Sequence, residues 1–238
     1  MQRSLHINRF RTAFSNRHVV LPVIHVVDTS QALRNAEIAG SAGADGIFLI
    51  NHDLPHTTLL EIYAAVLATF SGWWIGVNCL DLDTGDVFRH VGRGMAGVWT
   101  DNALINEHCN EQPEADAVQQ IQRTHDWHGL YFGGVAFKYQ REVTDVERAA
   151  RVAARYMDVV TTSGPATGQA AAPDKIRRMK AAIGDHPLAI ASGITPENVT
   201  DYLAFADCFL VATGICKRID ELDNSRVLSL IQIVRSGK

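Results

Sequence analysis

The chain has no run of roughly 18 uninterrupted apolar residues, so membrane insertion is not expected. Its first 18 residues, MQRSLHINRFRTAFSNRH, lack the apolar core of a secretory signal. Cysteine is scarce. Cys79, Cys109, Cys208 and Cys216 show no metal-type spacing, and Cys79 and Cys208 fall inside apolar runs where a reduced thiol packs as a small hydrophobe. Together these features predict a soluble cytoplasmic protein. Positive charge is not in surplus: the net charge is −4 with acids and bases interspersed, which argues against a broad cationic surface and so against nucleic acid as a partner. Neither a dinucleotide fingerprint nor a nucleophile motif occurs, and no cofactor is expected.

The sequence does contain short, continuously apolar runs that end in small hydroxyl residues and glycine. Residues 158–163, 188–192 and 208–213 are too short and too apolar for half-exposed strands and read as parallel strands covered on both faces. Between them, residues 174–183 and 196–204 carry apolar residues at helical spacing, opened by Pro-Asp and Thr-Pro-Glu. The same alternation extends back to Val19, with strands expected at 19–27, 45–50, 73–78, 97–100 and 130–137, and a last helix at 225–235. Eight strand–helix units predict a single closed (β/α)8 barrel over residues 19–238, since an open doubly wound sheet usually stops at five or six strands. An internal echo supports the count: Ala44-Asp45, Met157-Asp158 and Ala206-Asp207 each open an even-numbered strand. Residues 1–18 mix Leu5, Ile7, Phe10 and Phe14 with arginines and predict a short amphipathic helical extension that caps the barrel bottom or a partner subunit. Its apolar residues make a homo-oligomer the expected state.

In such a barrel the active site lies at the carboxyl ends of the strands. Those ends supply His25, Asn51 with Asp53, Asn78, Asp101, Lys138, Thr162 with Ser163, Ser192 and Thr213. Asp101 and Lys138 end neighbouring strands and are the leading acid–base pair, with Asp53 as a further catalytic candidate. His25, Asn51, Asn78, Thr162 and Ser163 are the expected substrate contacts. A Schiff base on Lys138 is less favoured, because a nearby carboxylate raises an ammonium pKa. Ser192-Gly193 and Thr213-Gly214 offer backbone amides to an anion without a Cβ in the way, a phosphate site in prospect. His25, His52, His56 and Asp53 match no helical ligand spacing, and no metal is expected.

Gly76-Val77-Asn78, Thr100-Asp101, residues 162–168 and the stretch Ser192-Gly193-Ile194-Thr195-Pro196-Glu197-Asn198-Val199 recur in one pattern. On these residues, joined by Asn51, Asp53, Pro55, Lys138 and residues 217–226 with Asn224, the sequence resembles the BtpA family from about Val19 to Arg226. The resemblance implies a barrel of the ribulose-phosphate-binding type. One departure stands out: the family usually carries a proline- and glycine-rich loop after the first-strand histidine, whereas here His25 runs through Val26-Val27-Asp28 into a helix. The Ser192–Val199 stretch is also similar to phosphate-binding units of phosphoribosyl isomerases and related epimerases. The expected function is therefore proton transfer of isomerase or epimerase type on a phosphorylated sugar or phosphoribosyl metabolite, with lyase or aldol chemistry through Lys138 left open. The rival expectation is a non-catalytic BtpA-like assembly factor or metabolite-binding protein.

Overall fold

The computed structural model describes residues 8–237. Eight strands, β1 (Val19–His25), β2 (Gly46–Ile50), β3 (Trp74–Asn78), β4 (Gly97–Thr100), β5 (Leu130–Gly134), β6 (Val159–Ser163), β7 (Leu188–Ala191) and β8 (Cys208–Val211), pair in parallel in chain order and close into a barrel with β8 on β1. Closure leaves no edge, and helices cover the outside. The strands are accordingly apolar on both faces. The helices are α1 (Arg9–Ala13), α2 (Thr29–Ser41), α3 (His56–Thr69), α4 (Thr84–His90), α5 (Pro113–Thr124), α6 (Val146–Ala153), α7 (Pro173–Ile183) and α8 (Asn224–Ser236). A small antiparallel hairpin, β9 (Cys216–Arg218) and β10 (Glu221–Leu222), stands between β8 and α8.

Strand alternation divides the core in two. Val20 and Ile24 of β1 face the helices, while Val19, Leu21 and Val23 face the lumen beside Phe48, Trp99, Phe132 and Leu210. The lower lumen is aromatic. Phe48 meets Trp74 and Phe132 at centroid distances of 5.2 Å each, and Gly76 and Gly97 leave the room those rings occupy. From below, Phe10 and Phe14 of the amino-terminal segment close the lumen, Phe14 against Trp74 at 5.2 Å and Phe10 against Phe132 at 6.4 Å. Both aromatics are buried within their own chain and offer no sticky surface to a second copy. Leu5 and Ile7 lie outside the described residues.

The Asp echo has a physical cause at this same end. Asp45 accepts the Val20 amide (2.7 Å), Asp158 the Tyr131 amide (2.9 Å) and Asp207 the Leu188 amide (3.0 Å). Each carboxylate thus caps the start of the preceding strand. Arg235, Arg9 and Lys180 pair with them in turn.

Four expected elements differ. β8, expected over residues 208–213, ends at Val211, and Thr213–Ile215 form a 3-10 turn. β1 ends at His25, and β5 ends at Gly134, because the chain turns at Ala136 with φ 48°. The helix expected over residues 196–204 is a single 3-10 turn, Val199–Tyr202. Asn198 holds the Thr195 amide (2.9 Å) and the Gly193 carbonyl (2.8 Å), which fixes residues 193–198 as a loop and leaves one turn before β8.

Candidate active site

A cavity of about 720 Å3 opens at the carboxyl end of the barrel. Its floor is apolar, made by Val23, Ile50, Trp99 and Leu210, the uppermost apolar lumen residues of β1, β2, β4 and β8. Above that floor the same alternation carries His25, His52 and Asp101 into the mouth. Lys138, Tyr139, Thr167, Ser192 and Thr213 complete the polar wall.

Asp101 and Lys138 line this one cavity from the ends of adjacent strands. Burial raises the Asp101 carboxyl above its ordinary value, opposed by the Asn78 amide and by the charges of Lys138 and His52. Asn78 Nδ2 donates to Asp101 Oδ1 at 3.1 Å and so fixes the carboxyl plane. Lys138 Nζ donates to Thr167 Oγ1 at 3.3 Å and forms no ion pair among the described residues. It lies over the Phe137 ring at 5.8 Å.

His25 and His52 stack face to face, centroids 4.7 Å apart and planes within 7°. Among the described residues, no three His, Cys, Asp or Glu side chains cluster to hold a metal. The His25 imidazole is pushed down to about 4 by burial, then by the charges of His52 and Lys138. His186 is also pushed down to about 4, again by burial first. An unfolded histidine takes up its proton near pH 6.5, so between that value and about 4 the unfolded chain binds more protons than the folded one. The stability held above pH 6.5 is therefore lost on acidification, on the order of 2 kcal/mol per buried histidine by pH 5. Urea midpoints at pH 7 and pH 5 should differ accordingly, and His25→Gln should reduce the difference, His186 and the likewise lowered His18 keeping the remainder; an unchanged difference would contradict this placement of His25.

Several expected contacts are turned away from the cavity or already occupied. Asn51 and Thr162 have the outward parity of their strands. Asn51 is fully buried, donating to Leu54 O (2.6 Å) and Asp81 Oδ1 (2.7 Å) and accepting from the Leu80 amide (2.8 Å), so it ties the β2 loop to the β3 loop. Thr162 donates to Ala136 O at 3.2 Å. Ser163 has lumen parity, yet its hydroxyl is consumed by the Lys138 amide (2.8 Å) and the Gly164 carbonyl (2.9 Å). These two residues position the Lys138 loop. Asp53 sits exposed at the cavity rim.

On the opposite wall, Thr213 is exposed to the cavity, whereas the Ser192 hydroxyl is taken by the Gly168 amide and Ala166 carbonyl, each at 3.1 Å. Ser192 and Gly193 both have positive φ, 79° and 73°. A Cβ on Gly193 would stand 2.2 Å from Ala170 N, and one on Gly214 would stand 1.9 Å from Ile194 O. Both glycines are thus demanded by close loop packing, whatever else their amides do.

Sequence reading passed over Tyr139, Thr167 and Lys175. Lys175 Nζ donates to Ala136 O (2.6 Å) and Ser163 O (2.8 Å), and burial pulls its pKa down to about 8. It clamps the ends of β5 and β6 beneath Lys138. Positive φ marks Leu104, Ala136, Tyr139 and Ser192, all just past carboxyl ends of strands, so backbone strain concentrates at the mouth.

Solved structures of similar shape share this fold. (S)-3-O-geranylgeranylglyceryl phosphate synthase from Thermoplasma acidophilum, solved with its substrate sn-glycerol-1-phosphate, is 16% identical over 99% of this chain and 100% of its own, with a TM-score of 0.67. Phosphoribosyl anthranilate isomerase from Thermus thermophilus is 16% identical over 92% of this chain and 100% of its own, with a TM-score of 0.63. Tryptophan synthase from Mycobacterium tuberculosis is 15% identical over 94% of this chain and 95% of its own, with a TM-score of 0.64. At these identities the likeness establishes the barrel alone. No curated protein matches the chain. No helix among the described residues is long and apolar enough to cross a membrane. The BtpA family model matches residues 104–236, from the segment following Asp101 to the end of α8, and the chain belongs to the BtpA family.

Proposed function

We propose that the chain is an enzyme that binds a phosphorylated sugar or phosphoribosyl metabolite across the barrel mouth and moves a proton on it, as an isomerase or epimerase does. One observation carries the reading: Asp101 and Lys138 face a single cavity from the ends of β4 and β5, while Thr213 and Ser192 face it from β8 and β7. In an eight-strand barrel closed in chain order, β4 and β8 lie diametrically opposite. A substrate anchored on one wall by its phosphate therefore presents its far end to the acid–base pair on the other.

The phosphate rests against the Thr213 hydroxyl and the backbone amides that follow β7 and β8. Among the described residues, the Gly193 amide donates to no loop or turn carbonyl. The Asp101 carboxylate removes a proton from the carbon beside a carbonyl, and the Lys138 ammonium stabilises the oxyanion that forms. The protonated Asp101 then returns the proton to the neighbouring carbon on the same face, while Lys138 gives a proton to the oxyanion and takes one from the hydroxyl of the first carbon, which becomes the new carbonyl; in an epimerase the Lys138 ammonium instead supplies a proton to the opposite face of the same carbon. Burial favours this cycle, because a carboxyl whose pKa is raised toward neutrality is the better base.

Gly193 is a poor place to test the phosphate site, since any side chain there strikes the 169–170 backbone. Thr213 is exposed and its replacement leaves the packing intact. A thermal-shift screen with ribose 5-phosphate and with ketose phosphates should raise the Tm of the wild type and leave Thr213→Asp unshifted, because a ligand of the native state stabilises it. No shift of the wild type with any phosphorylated compound would sink the reading.

A further inference from the structure

Among the described residues, the large hydrophobic side chains left exposed are Val27, Leu67, Leu80, Tyr139, Ile219 and Leu228. Four of the six, Val27 at 49%, Leu80 at 38%, Tyr139 at 74% and Ile219 at 54% exposure, line the mouth of the one cavity that holds Asp101 and Lys138. They come from four separate segments: the turn after β1, the loop after β3, the loop after β5, and the β9–β10 hairpin. Scattered exposed apolar residues are ordinary, but convergence of separate loops on one opening is not.

The hairpin is held in place for this arrangement. Gln31 Nε2 and Asn35 Nδ2 of α2 both donate to the Asp220 carbonyl, at 2.6 and 2.9 Å, and Asn35 accepts the Leu222 amide at 2.9 Å. Ile219 is thereby presented at the rim by buried polar anchors. The floor below is apolar as well, formed by Val23, Ile50, Trp99 and Leu210. The direct run of the chain from His25 into α2 leaves Val26 and Val27 as part of this wall.

A plain sugar phosphate carries an oxygen on every carbon and has no extended apolar group to place against such a surface. Its hydroxyls would lose water to aliphatic walls without compensation. We propose that the substrate is a phosphate ester whose organic part carries a bulky apolar group, aryl or alkyl, seated between the floor and the rim formed by Val27, Leu80 and Ile219. The inference rests on the phosphate reading above and narrows its substrate class. The polar end of the substrate meets Asp101 and Lys138, and its apolar group covers the cavity from water while the proton moves.

Titration calorimetry of the full chain tests this with ribose 5-phosphate, n-octyl phosphate, 1-naphthyl phosphate and the parent alcohols 1-octanol and 1-naphthol. The expected result is that at least one apolar ester binds about tenfold or more tightly than ribose 5-phosphate, as removal of several methylenes from water requires. Which of the two it is separates an alkyl from an aryl substituent. Ile219→Ser and, separately, Val27→Ser, which add no charge facing the phosphate, should erase that advantage, and an unchanged Tm without ligand reports that the fold is kept. Leu228→Ser, at an exposed apolar position on α8 away from the cavity, should change nothing. If ribose 5-phosphate binds as tightly as both apolar esters, the inference is overturned and the phosphate reading stands. If each alcohol binds as well as its ester, the phosphate reading falls and takes the inference with it. An equal loss with Leu228→Ser would mean adsorption to surface apolar residues and would also overturn the inference.

Discussion

Asp101→Asn is expected to abolish uptake of solvent deuterium into a bound ketose phosphate. A proton removed by a carboxylate and returned after exchange labels the substrate in D2O, and mass spectrometry of the recovered compound reads the label. Asparagine has the shape of aspartate and keeps a carbonyl oxygen for the Asn78 amide now bonded to Oδ1. It cannot take up a proton. The loss should be about 10²- to 10⁴-fold, the usual contribution of general acid–base catalysis. Stability should not fall with it: burial raises the Asp101 pKa, so the folded state holds the charged carboxylate at a cost that the amide avoids. A variant that folds, binds the ketose phosphate and still incorporates deuterium at the wild-type rate would remove Asp101 from the mechanism.

The second large effect is on folding and comes from beneath that same residue. Gly134→Ala places a methyl group 2.0 Å from the Asp101 carbonyl oxygen and 2.9 Å from that of Thr100. Both obstacles are backbone atoms at the end of the neighbouring strand β4 in a closed barrel, and neither can yield without shifting the ladder. Overpacking of this kind costs typically ~1–3 kcal/mol and more when no side chain can move aside, so about 3 kcal/mol or above is expected. In a chain of this size that corresponds to a Tm lower by roughly 6–12 °C. The displaced strand end carries Asp101, so the folded fraction should also bind more weakly to any ligand that needs the acid–base pair. A Tm within about 1 °C of the wild type would show that the β4–β5 ends are looser than this packing requires.

The barrel was legible in the chain because its signal is local and repeated. Continuous apolar runs of strand length, each followed by a helical pattern, admit few arrangements, and Asp45, Asp158 and Asp207 repeat one solution at the start of alternate strands. The resemblance to the BtpA family was legible on the glycine-bearing loops for the same reason. The site was legible only in outline. Taking the polar residue that ends each strand placed His25, Asn78, Asp101 and Lys138 near the mouth but also gathered Asn51 and Thr162, which strand parity turns outward. Counting by twos from Phe48 would have carried His52, not Asn51, into the lumen. Lys175 gave no such signal, since a lysine on an amphipathic helix reads as solvated until two carbonyls from other loops meet it.

By itself, then, the sequence determined the order of elements, the closure of the barrel and the end at which polar groups gather, because those follow from periodicity and from the need to bury both faces of each strand. Only the tertiary structure decided which of those groups share the cavity. Whether Ser163 and Ser192 offer a hydroxyl to a ligand depends on loops 136–138 and 166–168 reaching them first. Whether Gly193 serves an anion or a close backbone contact depends on where residues 169–170 pass. The convergence of Val27, Leu80, Tyr139 and Ile219 on one opening joins loops far apart in the chain. Contacts of that kind are set by how loops pack on a closed frame, and no local pattern of residues records them.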